Sequence, residues 1–209
     1  MSRKANMSIP STKSPSRLRS DAALNVRRIL DAGREVLREN PQASVEDVAR
    51  AAGLGVATLY RRFPTRDDLL RGVVWDIFET DMAPALARAE DAEDPRDGMR
   101  IAFEEGLRAA SRNGIPVGIT LEIIQTSFID PVCRMVRRAQ KQGLMRADLD
   151  PEKDMLRILL MLLSIVPTLN RGSDGWMRYL RMVMDWLMVT PTEILPPAEA
   201  IVDPFPSMQ

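Results

Sequence analysis

Hydrophobic residues recur every three or four positions along most of the chain, which is the spacing of one face of an α-helix. The first such run extends from Asp21 to Glu39, and Asn40 with Pro41 ends it. Its apolar positions share one face with a glycine: Val26, Ile29, Leu30, Gly33, Val36 and Leu37. We therefore predict a first amphipathic helix over residues 21–39.

The next two helices are predicted to be short. Ser44 followed by Asp47 has the spacing of a capping box, and a stripe of valines and alanines continues to Gly53. A third run then places Leu59 toward a core and ends at Pro64. The pattern indicates two helices of about two turns each, joined by a glycine turn.

Longer helices are predicted for the rest of the chain. Thr65 and Asp68 repeat the capping pattern, and the helix that they begin ends or bends near Pro84. Five further helices are expected: Arg96–Arg112, Pro116–Phe128, Pro131–Gln142, Pro151–Thr168 and Asp174–Val189. From Thr190 onward five prolines favour an extended tail.

Composition agrees with an all-α protein and limits the chemistry. Leu, Ala, Arg, Met and Glu are frequent, whereas aromatic residues make up 5% of the chain. The chain has no histidine, which removes the usual general base and zinc ligand, and Cys133 is its one cysteine. We therefore predict no catalytic residue, no metal site and no cofactor, and we do not expect an enzyme.

The sequence offers no segment for membrane insertion or export. The most apolar window, Met155 to Leu169, is shorter than the roughly 20 residues of a membrane span and contains Arg157 and Pro167. The basic N-terminus is not followed by an apolar stretch of signal-peptide length. A cytoplasmic protein without a membrane span is the expectation.

The charges are unevenly distributed although they cancel overall. Residues 1–71 carry 14 Lys and Arg against 8 Asp and Glu, a net charge of +6, and residues 72–209 carry a net charge of −6. A basic front end on an acidic body favours a polyanionic partner for the front end alone. A chance fluctuation is the alternative that charge by itself leaves open.

Two short helices joined at Gly53 and preceded by a longer helix form a helix-turn-helix pattern. Its residues resemble the N-terminal domain of TetR-family transcriptional regulators. The resemblance is carried by RILDA from Arg28, VEDVARAAG from Val45 and TLY from Thr58, followed by Phe63, Pro64 and Leu69. It covers residues 28–70 without a break in spacing.

This resemblance implies a homodimer in which the third helix enters the major groove of a double-stranded DNA operator. It also implies that DNA phosphates are held by Thr58, Tyr60, Arg62 and Arg66, with the capped helix start at Thr65 adding its dipole. An ordinary half-buried aromatic residue is the alternative for Tyr60. Arg62 stands where the family often has histidine, and its permanent charge favours salt-sensitive binding.

Contacts to bases must come from the groove-facing residues of the same helix, which are Gly55, Val56, Ala57 and Arg61. Val56 and Ala57 can contact thymine methyl groups, and Arg61 can bind a guanine edge with two hydrogen bonds. A further phosphate contact is the alternative for Arg61. Gly55 replaces the serine-type cap that is frequent in the family, which weakens the helix start.

Four regions follow from this interpretation. They are a flexible basic tail over 1–20, a helix-turn-helix DNA-binding domain over 21–66, a helical ligand-binding and dimerisation domain over 67–190 and a proline-rich tail over 191–209. The basic tail either contacts DNA or is a solvated leader, and both options remain open.

The family resemblance implies that the last two long helices pair with their copies in a partner subunit. The helix from Met155 to Val166 is apolar nearly all round, and the last helix combines Trp176, Tyr179 and Trp186 with several methionines. Such surfaces suit an interface, although burial within one subunit is the alternative. We therefore predict a homodimer formed through these two helices.

A ligand pocket is predicted in the body. Glu122 and Gln125 stand three residues apart in an otherwise apolar segment and so share a helix face, as would suit orienting a small hydrophobic ligand. The proposed lining comprises Phe103, Glu122, Gln125, Phe128 and Met135. Exposure of the two polar residues to water is the alternative.

The main hypothesis is thus a sequence-specific DNA-binding transcriptional regulator, a homodimeric repressor released from its operator by a small hydrophobic ligand. The alternative is a ligand-independent or architectural DNA-binding protein with a filled body. A helical enzyme is disfavoured by the absence of histidine.

Overall fold

The computed structural model describes residues 15–113, 123–170, 172–188 and 195–198, and their side chains from Ala23 onward. Within these ranges the chain forms helices and turns without a strand, so the prediction of an all-α protein is confirmed. No helix there has the length and apolar composition that crossing a membrane requires.

The α-helices are numbered in chain order. They are α1 Pro15–Glu39, α2 Val45–Ala51, α3 Val56–Arg62, α4 Arg66–Ile77, α5 Ala83–Glu90, α6 Pro95–Asn113, α7 Ile129–Lys141, α8 Pro151–Ile165 and α9 Trp176–Met188. Two π-helical turns, Phe78–Met82 and Ile124–Phe128, precede α5 and α7, and a 3₁₀ turn, Val166–Thr168, follows α8.

The start of the first helix differs from the prediction. Helix α1 begins at Pro15, inside the predicted flexible tail, where a proline without an N–H fits a first helical turn. Helix α4 ends at Ile77, and the π-helical turn Phe78–Met82 leads into α5, whose first turn contains Pro84, where an end or a bend was predicted. Of the predicted helix Pro116–Phe128, residues up to 122 lie outside the described residues.

Helices α1 to α4 pack around a core of their own. Its fully buried members come from all four helices: Ile29, Val48, Ala49, Leu59, Leu69, Leu70 and Val73. Both predicted capping boxes are present, since Ser44 and Asp47 begin α2 and Thr65 and Asp68 begin α4. These local signals fix short helices that would be marginal alone.

The second core belongs to the body, with α6 at its centre. Helix α6 packs against α5, α7, α8 and α9, and it also contacts α1. Phe103 and Phe128 meet edge to face in this core, with ring centroids 6.2 Å apart. Helix α6 also contributes Ala109 to the first core, so it connects the two regions.

Candidate DNA-binding face and ligand cavity

Helix α3 has one buried side and one exposed side. Leu59 is 0% exposed and Phe63 is buried just after the helix, and together they hold α3 on the first core. The opposite side presents Val56 and Arg61 to solvent, with Ala57 next to them. The three side chains predicted to contact bases therefore share an accessible surface.

The start of α3 depends on glycines. Gly53 has a φ of +64°, in the left-handed region that glycine adopts without strain, and it makes the turn after α2. Gly55 is the N-cap of α3 and supplies no side-chain hydrogen bond. Helix α3 therefore begins without the side-chain cap whose absence the sequence indicated.

Tyr60 is 39% exposed and its hydroxyl donates a 2.9 Å hydrogen bond to Glu46 on α2. This bond raises the pKa of the Tyr60 phenol, which therefore stays a neutral donor at neutral pH. The pKa of Glu46 is lowered, first by a backbone N–H at the start of α2 and then by Tyr60. A phosphate must compete with Glu46 for the single hydroxyl hydrogen of Tyr60.

Arg66 has a structural role that the sequence did not predict. Its Nε donates to the carbonyl of Ala43 at 3.1 Å and its Nη2 donates to the carbonyl of Pro41 at 2.6 Å. The guanidinium is half-buried and joins the start of α4 to the loop between α1 and α2. Any phosphate contact must therefore come from its remaining N–H groups.

Thr65 is also occupied within the protein. Its hydroxyl donates to Asp68 at 2.7 Å and accepts the N–H of Asp68, and its own N–H donates to the same carboxylate. The aspartate therefore already takes the place that an anion would occupy at the start of α4. This contact makes Thr65 a weaker phosphate ligand than its position suggested.

A surface groove lies between α3 and the N-terminal half of α1. Its α3 side is lined by Thr58, Arg61 and Arg62, and its α1 side includes Asn25 and Val26. Within the described residues, neither Arg61 nor Arg62 makes a hydrogen bond or an ion pair. Both guanidinium groups are exposed. They are the two cations of α3 that are available to a polyanion.

An apolar cavity of about 70 Å³ lies in the body between α4, α6, α8 and the two π-helical turns. Its walls include Val74, Ile77, Phe78, Met82, Phe128 and Leu159. Among the described residues that line it, Asn113 at the end of α6 is the polar one. Because α4 forms one wall, the cavity directly adjoins the helix that begins the body.

The residues predicted to line the ligand pocket occupy different places in the body. Phe128 lines the cavity, Phe103 packs behind Phe128, and Met135 is buried elsewhere in the core. Gln125 is exposed rather than directed into the cavity, whereas its neighbours Ile124 and Phe128 are buried and line the cavity. Glu122 lies outside the described residues.

The sequence did not predict that Asn113 lines the cavity. It closes a long amphipathic helix, where asparagine is common as an ordinary C-terminal residue, so local pattern gave no reason to select it. Only the packing of α6 brings its amide to the cavity wall, where it is 4% exposed. The apolar character of its surroundings is what makes this amide conspicuous.

The helix-turn-helix region is similar to a known protein family. Residues 29–73 match the family described as bacterial regulatory proteins, tetR family. Over these residues the chain is similar to the TetR family. The match covers the C-terminal part of α1, all of α2 and α3 and most of α4, and so includes the exposed side of α3.

A curated relative is the HTH-type transcriptional repressor LfrR of Mycolicibacterium smegmatis. It is 38% identical over 91 residues, which cover 44% of this chain and 45% of that repressor. The aligned part is thus less than half the length of the curated relative. The whole-protein activity of that repressor does not carry over by this match alone.

Solved structures share the fold over most of the chain. The TetR-family regulator PfmR of Thermus thermophilus has a TM-score of 0.57 and 20% identity, covering 80% of this chain and 96% of PfmR. RolR bound to resorcinol has a TM-score of 0.64 and 16% identity, covering 87% and 100%. AibR with isovaleryl coenzyme A and operator DNA has a TM-score of 0.58 and 17% identity, covering 78% and 98%.

Proposed function

We propose that this chain is a sequence-specific DNA-binding transcriptional repressor, which acts in the cytoplasm as a homodimer and is released from its operator by a small ligand. The observation that carries the proposal is the exposed side of α3. In a matched TetR-family domain, Leu59 holds this helix from behind while Val56, Ala57, Arg61 and Arg62 face outward. The operator complex of AibR supports the same use of the fold.

Phosphate contacts are assigned to the two ends of this exposed side. Arg62 and Thr58 line the groove against α1, where a guanidinium and a hydroxyl can both donate to a phosphate. Tyr60 adds a phenol after exchanging Glu46 for a phosphate. Thr65 and Arg66 contribute less than the sequence suggested, because their donors are engaged with Asp68 and with backbone carbonyls.

Base contacts are assigned to Val56, Ala57 and Arg61, with Gly55 allowing the helix start to approach the groove floor. Valine and alanine side chains fit thymine methyl groups, and a free arginine fits the two acceptors of guanine. Arg61 has no competing partner among the described residues, whereas Arg66 has two. This difference favours Arg61 as the residue that discriminates between sequences.

Dimerisation is proposed through α8 and α9. These two helices pack on each other and expose large apolar side chains: Met161 at 50%, Tyr179 at 38%, Met182 at 58% and Trp186 at 46%. An isologous pair of two-helix faces gives a four-helix bundle and would cover this surface. A Met182→Lys variant should then sediment as a monomer at concentrations where the unchanged chain is a dimer.

Ligand release is proposed to act through α4. The C-terminal half of α4 contributes Val74 and Ile77 to the cavity, and its N-terminus follows α3 directly. A ligand that binds better when α4 is displaced would move α3 away from its operator position. The resorcinol complex of RolR supports a small-molecule site in this fold.

One observation favours the second candidate, a ligand-independent DNA-binding protein. The cavity has a free volume of about 70 Å³, roughly half that of the ~150 Å³ engineered cavity that holds benzene. A body that does not open would leave the chain to bind DNA without a ligand signal. Ligand-dependent thermal stabilisation separates the two candidates.

The experiment starts with selection of DNA sequences from a random library by the full chain. Arg62→Ala should weaken binding to all sequences alike and reduce the salt slope by about one, since it removes one phosphate contact. Arg61→Ala should instead relax the preference at one base position, worth about 1–3 kcal/mol. Fluorescence anisotropy on selected and scrambled duplexes measures both effects.

Lys141→Ala is the matched control, because it removes one exposed positive charge at the end of α7, away from α3. It should leave both affinity and preference unchanged. Selection of no shared sequence by the unchanged chain would contradict the proposal. Equal weakening of all duplexes by Arg61→Ala would assign Arg61 to phosphate rather than to a base.

A further inference from the structure

The polar group in the cavity wall is also a contact of the DNA-binding domain. Asn113 ends α6 and is 4% exposed, and it lines a cavity whose other described lining residues are apolar. The same amide carbonyl accepts a hydrogen bond of 3.1 Å from Nε of Arg34 on α1. Asn113 therefore touches the cavity on one side and the DNA-binding domain on the other.

Both ends of the Asn113 amide have defined partners. Its Nδ2 donates to the carbonyl of Ala109 at 2.8 Å, while its Oδ1 accepts from Arg34. A carbonyl can only accept and a guanidinium can only donate, so these partners fix the orientation of the amide. One N–H and one lone pair of the amide remain for a further partner.

Arg34 joins three elements through a single guanidinium. Besides Asn113 it pairs with Asp81 and donates to Thr80 at 3.4 Å, both in the π-helical turn between α4 and α5. Loss of the Asn113 contact alone would leave Arg34 attached to the π-helical turn and Ala109 in the first core, but would break the polar contact between α1 and the end of α6. The contact is therefore a separable connection between the domain that carries α3 and the cavity wall.

We propose that Asn113 recognises the ligand and that the ligand competes with Arg34 for its carbonyl. The inference rests on the proposed function, and it names the ligand class as a small neutral molecule, mainly apolar, with one hydroxyl or similar hydrogen-bond donor. A hydroxyl that donates to Oδ1 of Asn113 weakens the bond from Arg34. Ligand binding thus breaks the polar contact between α1 and the end of α6.

The class of ligand is inferred from the side chains that line the cavity. Among its described lining residues the cavity has no ionised side chain, so a charged ligand would lose its hydration without a counter-charge. A hydroxyl, in contrast, finds the remaining lone pair of Asn113. With a free volume of about 70 Å³, the cavity must widen to hold one aromatic ring.

Widening of the cavity and loss of the bond between Arg34 and Asn113 are expected to occur together. Asn113 is at the edge of the cavity, so moving the end of α6 outward lengthens the distance between Oδ1 and Nε of Arg34. The arrangement in which Arg34 and Asn113 are bonded then favours DNA, and the widened arrangement favours the ligand. By linkage, each partner lowers the affinity for the other by the same factor.

The test uses two substitutions at one position in the full chain. Asn113→Leu keeps the size and removes the bond to Arg34, so it should lower operator affinity about fivefold or more without ligand. Asn113→Asp keeps an acceptor for Arg34 and adds charge, although it loses the N–H that donates to the carbonyl of Ala109, which lowers stability in both arrangements. It should therefore bind the operator at least as tightly and lose the ligand response. A residue with only a packing role would move both variants in the same direction.

The probes are toluene and phenol, which have one ring without and with a hydroxyl, and benzoate and benzylammonium as charged partners. Phenol should raise the Tm of the unchanged chain more than toluene does and should weaken operator binding, whereas the ions should do neither. In Asn113→Leu the advantage of phenol over toluene should disappear. Gln142→Leu, an exposed amide at the end of α7, is the control and should retain the phenol response.

The outcomes separate this inference from the proposed function. If the unchanged chain selects no DNA sequence, the proposed function fails. If it binds a selected operator but the two Asn113 variants shift affinity in the same direction, the coupling role of Asn113 is wrong. Stabilisation by benzoate or benzylammonium, or none by phenol and toluene, would overturn the ligand class.

Discussion

The DNA-binding domain and the helical body fix their helices by different means. In the first, α2 and α3 each have 7 residues, and α2 and α4 begin with complete capping boxes on a small shared core. In the second, α6 has 19 residues and packs against four neighbouring helices, and π-helical turns lie on two sides of a cavity. The first region holds an exposed helix in one position, whereas the second leaves room for its walls to move.

This difference teaches where change can be tolerated. Short helices held by few buried side chains lose their position when one of those side chains is removed. A substitution in a long central helix next to a cavity should change the stability differently on the packed side of the helix and on its cavity side. The following predictions test this comparison, beginning with the largest expected effect.

Leu59→Ala should lower the free energy of unfolding of the DNA-binding domain by about 3 kcal/mol, because Leu59 is fully buried and is the main anchor of α3. Hydrogen exchange followed by mass spectrometry should show loss of protection in α2 and α3 with little change in α7 and α8. Arg61→Ala, on the exposed side of α3, is the control. Equal loss of protection in both regions would mean that they unfold as one unit.

The same substitution at two glycines of α6 should have opposite effects. A Cβ at Gly98 would collide with the backbone carbonyl of Ala89 and lie 2.8 Å from the sulfur of Met135, so Gly98→Ala should destabilise by about 1–3 kcal/mol. A Cβ at Gly106 would meet Met82 and Phe128 at 3.5 Å and 3.6 Å, which are ordinary contacts.

Gly106→Ala should therefore stabilise the body by about 0.5 kcal/mol or more, since alanine suits a helix interior, while it narrows the cavity. Urea denaturation measures both changes. A loss of stability at Gly106 equal to that at Gly98 would show that the cavity side of α6 is as rigid as its α5 side. It would contradict the difference between a tightly packed side of α6 and a side that adjoins the cavity.

Asp148→Asn should change how the stability of the body depends on pH. Arg146 binds both carboxylate oxygens of Asp148 and the N–H of Leu195 donates to it, which together hold the pKa of Asp148 well below its usual range. A lowered folded-state pKa gives stability above the unfolded value of about 4 that is lost as pH falls below it.

The Tm of the unchanged chain should therefore fall between about pH 5 and pH 2, and Asp148→Asn should have a lower Tm at neutral pH and a shallower fall. Differential scanning calorimetry over this range is the measurement. Asp174→Asn, at an exposed carboxylate before α9, is the control and should leave the pH profile unchanged. Parallel profiles for Asp148→Asn and the unchanged chain would contradict the prediction.

Gly55→Ser should have the smallest effect, a gain of a few tenths of a kcal/mol, because serine adds a side-chain cap that α3 lacks. No atom lies within 4 Å of a Cβ at Gly55, so the change fits without strain. Thermal unfolding of the unchanged chain and of Gly55→Ser measures the gain. A decrease in Tm would show that the backbone at Gly55 needs the freedom of glycine.

The local signals of the DNA-binding domain were sufficient to predict it. Ser44, Thr65 and Gly53 each specify a helix start or a turn through interactions within a few residues, and all three lie where the spacing indicated. In the body, residues Ile124–Phe128 form a π-helical turn on which Gln125 is exposed while Ile124 and Phe128 are buried. Periodicity assumes 3.6 residues per turn, so it cannot anticipate such a turn.

By itself, the sequence determined the helical class, the helix-turn-helix and the outward face of α3, because caps, turns and amphipathic spacing act between near neighbours. Only the tertiary structure decided that Arg66 holds the loop at Pro41 and that Asn113 joins the cavity wall to Arg34. Arg34 and Asn113 are 79 residues apart in the chain. A contact across that distance depends on how whole helices pack, which no local pattern of residues encodes.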